Sequence, residues 1–162
     1  MDTSAITAII ERPDLTSEQR AVLTRLADLL TSLSPRKAVI TEARVEAKSH
    51  RAQVMITHRD DPDMCLSIAI SRQNVVVGHP FDHEHFGEPF DNRSPLDAID
   101  YLRQCLTGQL KVDVRHGILL RTADTYERAG ESWKLVARSY IPFPLGRWLA
   151  RGPVGSQVIS FD

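Results

Sequence analysis

Between Ala38 and Gly78 the chain repeats one pattern four times: an alternating run of apolar and polar residues, closed by a polar turn of a few residues. Ala38 to Lys48 sets Val39, Thr41, Ala43, Val45 and Ala47 against Ile40, Glu42, Arg44, Glu46 and Lys48. Ala52 to His58 sets Ala52, Val54 and Ile56 against Gln53, Met55 and Thr57. Met64 to Ser71 puts Met64, Leu66, Ile68 and Ile70 on one side, and Val75 to Gly78 follows. Side chains of a strand alternate between its faces, so such runs predict a sheet with one buried and one wet face. Turns such as Ser49-His50-Arg51 and Arg59-Asp60-Asp61-Pro62-Asp63 are too short for a parallel crossover, so the strands pair as an antiparallel meander.

A sheet with one apolar face needs a cover, and two helical stretches precede it. Ile6, Ile9 and Ile10 make a short helical face that Pro13 ends. Thr16 and Gln19 form a capping box for a helix over about Ser17 to Leu33, with Val22, Leu26, Leu29, Leu30 and Leu33 on one stripe. Ser34-Pro35 stops it. A third helix opens at Ser94-Pro95 with Asp97 at its third position, and buries Leu96, Ile99, Leu102 and Leu106 ahead of Gly108. Extended runs follow at Leu110 to Arg115, Ile118 to Arg128 and Trp133 to Ile141. The predicted fold class is α+β: a mostly antiparallel sheet of six to seven strands, with two to three helices packed on one face, in the order α-α-β-β-β-β-α-β-β. Residues 1–162 form a single domain in which 142–162, rich in Pro and Gly, is a partly irregular tail with one last short strand at Gln157–Phe161.

At 162 residues and 42% hydrophobic content the core needs no disulfide or metal to close. Cys65 and Cys105 lie in an apolar strand and a helix and read as buried free thiols, as in a reducing compartment. The N-terminus has no basic stretch before its short apolar run, and no run reaches the roughly 20 apolar residues of a membrane span. A cytoplasmic location is expected. A net charge of −1 argues against a general nucleic-acid binder. The absence of a Gly-rich phosphate loop and of βαβ alternation argues against a nucleotide-binding fold.

Chemistry concentrates between Val75 and Asp91, in VVVGHPFDHEHFGEPFD. His79, His83 and His85 are half of the six histidines, and His83 and His85 would share one face of a strand. With Asp82 or Glu88 they make one reading a metal site. The first motif of the cupin barrel also holds a His-x-His followed by a glutamate, but Glu88 stands one residue early and the second cupin motif is missing. The other reading is a recognition loop. Asp82, Glu84, Glu88 and Asp91 surround Phe81, Phe86 and Phe90, and aromatics inside an acidic rim suit a basic protein surface, with the histidines tuning binding by pH. The plain structural reading is that the phenylalanines anchor a strand-to-helix loop and the histidines meet water.

Elsewhere no catalytic constellation is recognised. No nucleophile elbow surrounds Ser139, Ser156 or Ser160, and Cys105 sits between the core positions Leu102 and Leu106. Arg138, Arg147 and Arg151 interleave with Tyr140, Phe143 and Trp148, a pattern that suits either stacking on bases or a solvated end, and a groove receiving a peptide is a third option.

The alternating sheet, the His-x-His-Phe segment (His83, His85, Phe86), the helix after it and the closing strand GQLKVDVRHG resemble small bacterial cytoplasmic immunity proteins of polymorphic toxin systems. The resemblance spans about Ala38 to Tyr140. It implies a non-catalytic protein, without a cofactor, that binds and neutralises one cognate toxin domain. The expected partner-binding residues, read from the loop itself, are Asp82, His83, Glu84, His85, Phe86, Glu88 and Asp91. The alternative is a metal-binding protein or metal-dependent enzyme using His79, His83 and His85. The sequence leaves a homodimer open.

Overall fold

The computed structural model describes residues 1–80, 82–116, 120–142 and 155–161. Among them the order is α1 (Ser4–Ile10), α2 (Ser17–Leu33), β1 (Ala38–Val45), β2 (Ala52–His58), β3 (Cys65–Ile70), β4 (Asn74–His79), β5 (Asp82–Gly87), α3 (Asp97–Leu106), β6 (Thr107–His116), β7 (Leu120–Ala129), β8 (Ser132–Pro142) and β9 (Gly155–Ser160). The strands form two sheets, not one: β1-β2-β3-β4-β5 and β8-β7-β6-β9, with every pairing antiparallel. The α+β class and the antiparallel meander follow the sequence expectation. The predicted count of six to seven strands is too low, because the His79–Arg93 stretch contains β5 and the predicted short last strand is β9. The expected residues Phe143, Arg147, Trp148 and Arg151 lie outside those described, as do Phe81 and Gly117.

The apolar set of the first sheet is Ala52, Val54 and Ile56 on β2, Leu66, Ile68 and Ile70 on β3, Val75 and Val77 on β4, and Phe86 on β5, all buried. They meet Val22, Leu23, Leu26, Leu29 and Leu30 of α2, and Ala98, Leu102, Cys105 and Leu106 of α3, in one cluster. That cluster continues into the second sheet through Leu110, Val112, Val114, Ala123, Ile159 and Phe161. The continuity comes from α3, which packs against β4 and β5 of one sheet and β6 and β9 of the other. Both sheets therefore close over a shared helix.

Strand β1 departs from simple alternation. Its pairing with β2 shifts between Ile40 and Glu42, so that Ile40, Ala43 and Val45 all pack against the core while Val39 is 38% exposed. A bulge of one residue explains how Ile40, which sits in the otherwise charged set, reaches the inside. Thr41, the extra residue, shares a hydrogen bond with Thr57 through its hydroxyl at 2.9 Å. Cys105 is buried as expected, whereas Cys65 is half-buried on the outer side of β3.

The predicted capping box at Thr16 is present. Gln19 N donates to Thr16 Oγ1 at 3.2 Å, and Thr16 N donates to Gln19 Oε1 at 3.0 Å. Gln19 is also fully buried, and its Nε2 donates to the carbonyls of His50 (2.8 Å) and Ile70 (3.1 Å). One amide thus ties the start of α2 to the β1–β2 turn and to the end of β3.

Glutamate at position 19 keeps the acceptor that the capping box needs and loses both donors to the sheet. Buried groups left unmet cost about 1–3 kcal/mol each. We expect Gln19→Glu to destabilise by about 2–4 kcal/mol in urea unfolding at neutral pH. Unchanged stability would mean that the capping box is all that Gln19 contributes.

Candidate functional site

Strand β5 carries most of the expected binding residues, and its register divides them. Asp82 pairs with His79, Glu84 with Val77 and Phe86 with Val75, so these three share the helix-covered face with the buried residues of β4. His83 pairs with Gly78 and His85 with Val76, on the outer face. Phe86 is part of the core. His79 is buried on the inner side, away from His83 and His85. The three histidines of the alternative metal reading are therefore split between the two faces of the sheet by the two-residue period of the strands. Among the described residues no three of His, Cys, Asp or Glu come together as metal ligands.

Gly87 ends β5 with φ +96, and a Cβ there would strike the Gln73 carbonyl. The chain then folds back over the strand's free edge, and Arg93 holds it there. The backbone N of Arg93 donates to Asp91 Oδ1 at 2.8 Å and its Nε to Asp91 Oδ2 at 2.8 Å. Its Nη2 donates to Glu84 Oε2 at 2.9 Å and to the His85 carbonyl at 3.0 Å. The guanidinium also lies 4.3 Å from the centre of the Phe86 ring, a cation–π contact. Arg93 holds the Asp91 carboxyl below its usual range by these hydrogen bonds, and Asp91 in turn raises Arg93. The acidic rim expected from the sequence is thus partly neutralised from within. Glu84 and Asp91 serve Arg93, and Glu88 stays exposed.

Beyond Arg93 the chain reaches α3. Ser94 N donates to Asp97 Oδ2 at 2.8 Å, and Leu96 N donates to Ser94 Oγ at 3.2 Å, so the expected capping groups engage one another. The regular helix starts three residues later, at Asp97.

Two surfaces result. On the outer side, His85 packs at a tilt against Phe90 with ring centres 4.8 Å apart and edge-to-face against His83 at 5.0 Å, and Phe90 is 67% exposed. Along the end of the sheet, residues 87–95 and the N-terminal turns of α2 border a pocket of about 360 Å³. Val22, Ile70 and Val75 form its floor, and Glu18, Arg72 and Glu88 stand around it. Sequence reasoning missed Arg93, although a lone arginine between four carboxylates and a phenylalanine was a readable signal.

Arg138, expected in an arginine-aromatic tail, belongs to β8. It donates Nε to Asp124 Oδ1 at 2.7 Å and Nη2 to Asp124 Oδ2 at 2.9 Å, and Asp124 is only 3% exposed. The chain matches no protein-family model, no curated protein and no solved structure.

Two outcomes follow. Burial above all lowers the His79 imidazole to about 4, with Asp82 opposing and His83 adding slightly. The unfolded chain takes that proton near 6.5 and the folded chain only near 4, so the stabilisation is complete above 6.5 and declines as pH falls to 4. The loss is at most about 3 kcal/mol. Urea unfolding across this window should show it, and His79→Gln should flatten the slope. Arg93→Gln should speed amide hydrogen exchange over residues 88–96 and cost about 1–2 kcal/mol, since its ion pairs are half-exposed. Unaltered exchange there would show that the loop does not depend on Arg93.

Proposed function

We propose that this chain is a non-catalytic protein-binding module, an immunity-like inhibitor that works in the cytoplasm by capping a cognate bacterial toxin domain. The observation that carries the reading is Phe90. It is a large apolar side chain, two-thirds exposed, presented on a loop that Arg93 ties to β5. An exposed aromatic on a pre-ordered loop loses little conformational freedom on binding and suits the anchor of an interface. The pocket beside it has an apolar floor that accepts a side chain of the partner, and Glu18 and Glu88, which outnumber Arg72 at its rim, favour a basic neighbour. Among the expected partner-binding residues, Glu88, His83 and His85 face outward with Phe90. Asp82, Glu84, Phe86 and Asp91 support the loop from beneath or from within. The metal reading has no observation in its favour, since its histidines lie on two faces.

The test is neutralisation of toxin domains encoded beside this chain, read as restored growth of cells expressing both and as the dissociation constant of the purified one-to-one complex. Phe90→Ala should weaken the complex by about 2 kcal/mol, roughly thirtyfold, through slower-forming or faster-breaking contacts. Glu88→Lys should mainly slow association. Binding and protection untouched in a Phe90→Ala, Glu88→Lys double variant would remove this loop as the interface.

A further inference from the structure

Each sheet leaves two edge strands, and the four edges differ. The edge of β5 is covered, since the His85 carbonyl accepts from Arg93 and the Gly87 carbonyl from the Asp91 backbone N. Strand β8 exposes Lys134 and Arg138, two charges of one sign, and β9 has no charged side chain. Strand β1 carries Glu42 and Arg44, opposite charges two residues apart. They pair with Met55 and Gln53 of β2 and so share the outer face of the sheet.

The register shows which backbone groups of β1 are open. Glu46 N donates to the Arg51 carbonyl, and antiparallel pairs alternate between bonded and unbonded. Counting back, Arg44 with Gln53 and Glu42 with Met55 are bonded pairs, whereas Val45 with Ala52 and Ala43 with Val54 are not. The N–H and C=O groups of Ala43 and Val45 therefore point away from β2, and no described residue bonds them there. Helix α1 meets β1 through the core, where Ile6 and Ile9 join Ile40, Ala43 and Val45. The bulge at Thr41 bounds the open stretch on one side and the turn at 47–49 on the other. Edge charges discourage pairing with a copy when like meets like. Here Glu42, Arg44 and Glu46 alternate in sign.

We propose that a second copy of this chain pairs with this edge, β1 antiparallel to β1, about a two-fold axis through Ala43. The axis is set by charge. At Glu42 it would bring the two glutamates opposite each other, and at Arg44 the two arginines. At Val45 it would run the turn at 47–49 against the partner's strand. At Ala43 it sets Glu42 opposite the partner's Arg44, twice by symmetry. Ala43 and the partner's Ala43 then form a bonded pair from their open groups, and the charges fall in unbonded pairs, where side chains come closest. Arg44 already pairs with Glu42 of its own chain and donates to Gln53. Its remaining donors reach the partner's Glu42, so the four charges make one network. The pairing joins the two five-stranded sheets into one. Because β1 lies at the opposite edge from β5, it leaves Phe90 open and stands apart from the protein-binding reading.

Sedimentation equilibrium of the intact chain tests it. The wild type should pass from the 18.2 kDa monomer toward twice that mass as its concentration rises to about 1 mM. Glu42→Arg should weaken the dimer about tenfold, and Arg44→Glu likewise, since each sets like charges opposite one another twice. Mixed in equal amounts, these two variants should recover a dimer, one chain supplying both arginines and the other both glutamates. Ala43→Pro removes an N–H that β2 does not use, so it should abolish the dimer and leave the β1–β2 ladder intact. None of these changes touches Phe90 or Glu88, so toxin neutralisation should be unaffected. The proposal is overturned if the wild type stays monomeric at about 1 mM. It is equally overturned if Glu42→Arg or Ala43→Pro dimerises as the wild type does, or if the mixed charge variants stay apart.

Discussion

The first sheet has one apolar face, and the rest of the structure depends on covering it. Val54, Ile56, Leu66, Ile68, Ile70, Val75 and Val77 give a continuous buried surface. At roughly 25 cal/mol per Å² of apolar area removed from water, burying that surface favours the fold strongly. Helices α2 and α3 supply the cover. Because α3 is shared, the second sheet is brought in by the helix that completes the first. The bulge at Thr41 and the buried amide of Gln19 are local adjustments to this demand. One brings Ile40 inside, and the other satisfies carbonyls that the helix would otherwise leave dry.

The same constraint decides what β5 can do. A strand at the sheet's edge sends alternate side chains to a covered and an open face. Asp82, Glu84 and Phe86 go under the helices, and His83 and His85 go out. Two carboxylates placed at the margin of a core need a cation or water, and Glu84 meets Arg93. The arginine also reaches the His85 carbonyl and so blunts one outward group of the sheet edge, which bare strands expose to unwanted pairing. Its five donors and planar face let it hold two carboxylates, a carbonyl and a ring at once, which a lysine would not do.

Two surfaces of different character therefore flank one strand. The outer one is aromatic and imidazole-rich, with Phe90 as its most exposed member. The inner one is a cleft with carboxylates, an amide and a buried hydroxyl between α3 and the second sheet. Arg93 lines both the pocket at the end of the sheet and the cleft.

What the sequence determined by itself is local. Alternation marked β1 to β4 and their antiparallel order, because period two and short turns leave little choice. Thr16 with Gln19 marked the start of α2, and Ser94 with Asp97 marked the approach to α3, because capping is a matter between neighbours. His83 and His85 were legible as one face of a strand for the same reason. Tertiary structure alone decided the rest. The division into two sheets depends on which strands α3 brings together, and no short-range pattern records that. The burial of Gln19 against His50 and Ile70, and the hydrogen bond from Gln104 to Glu127, join residues far apart in the chain. Their energies come from desolvation and pairing across elements, and a sequence read in windows contains neither.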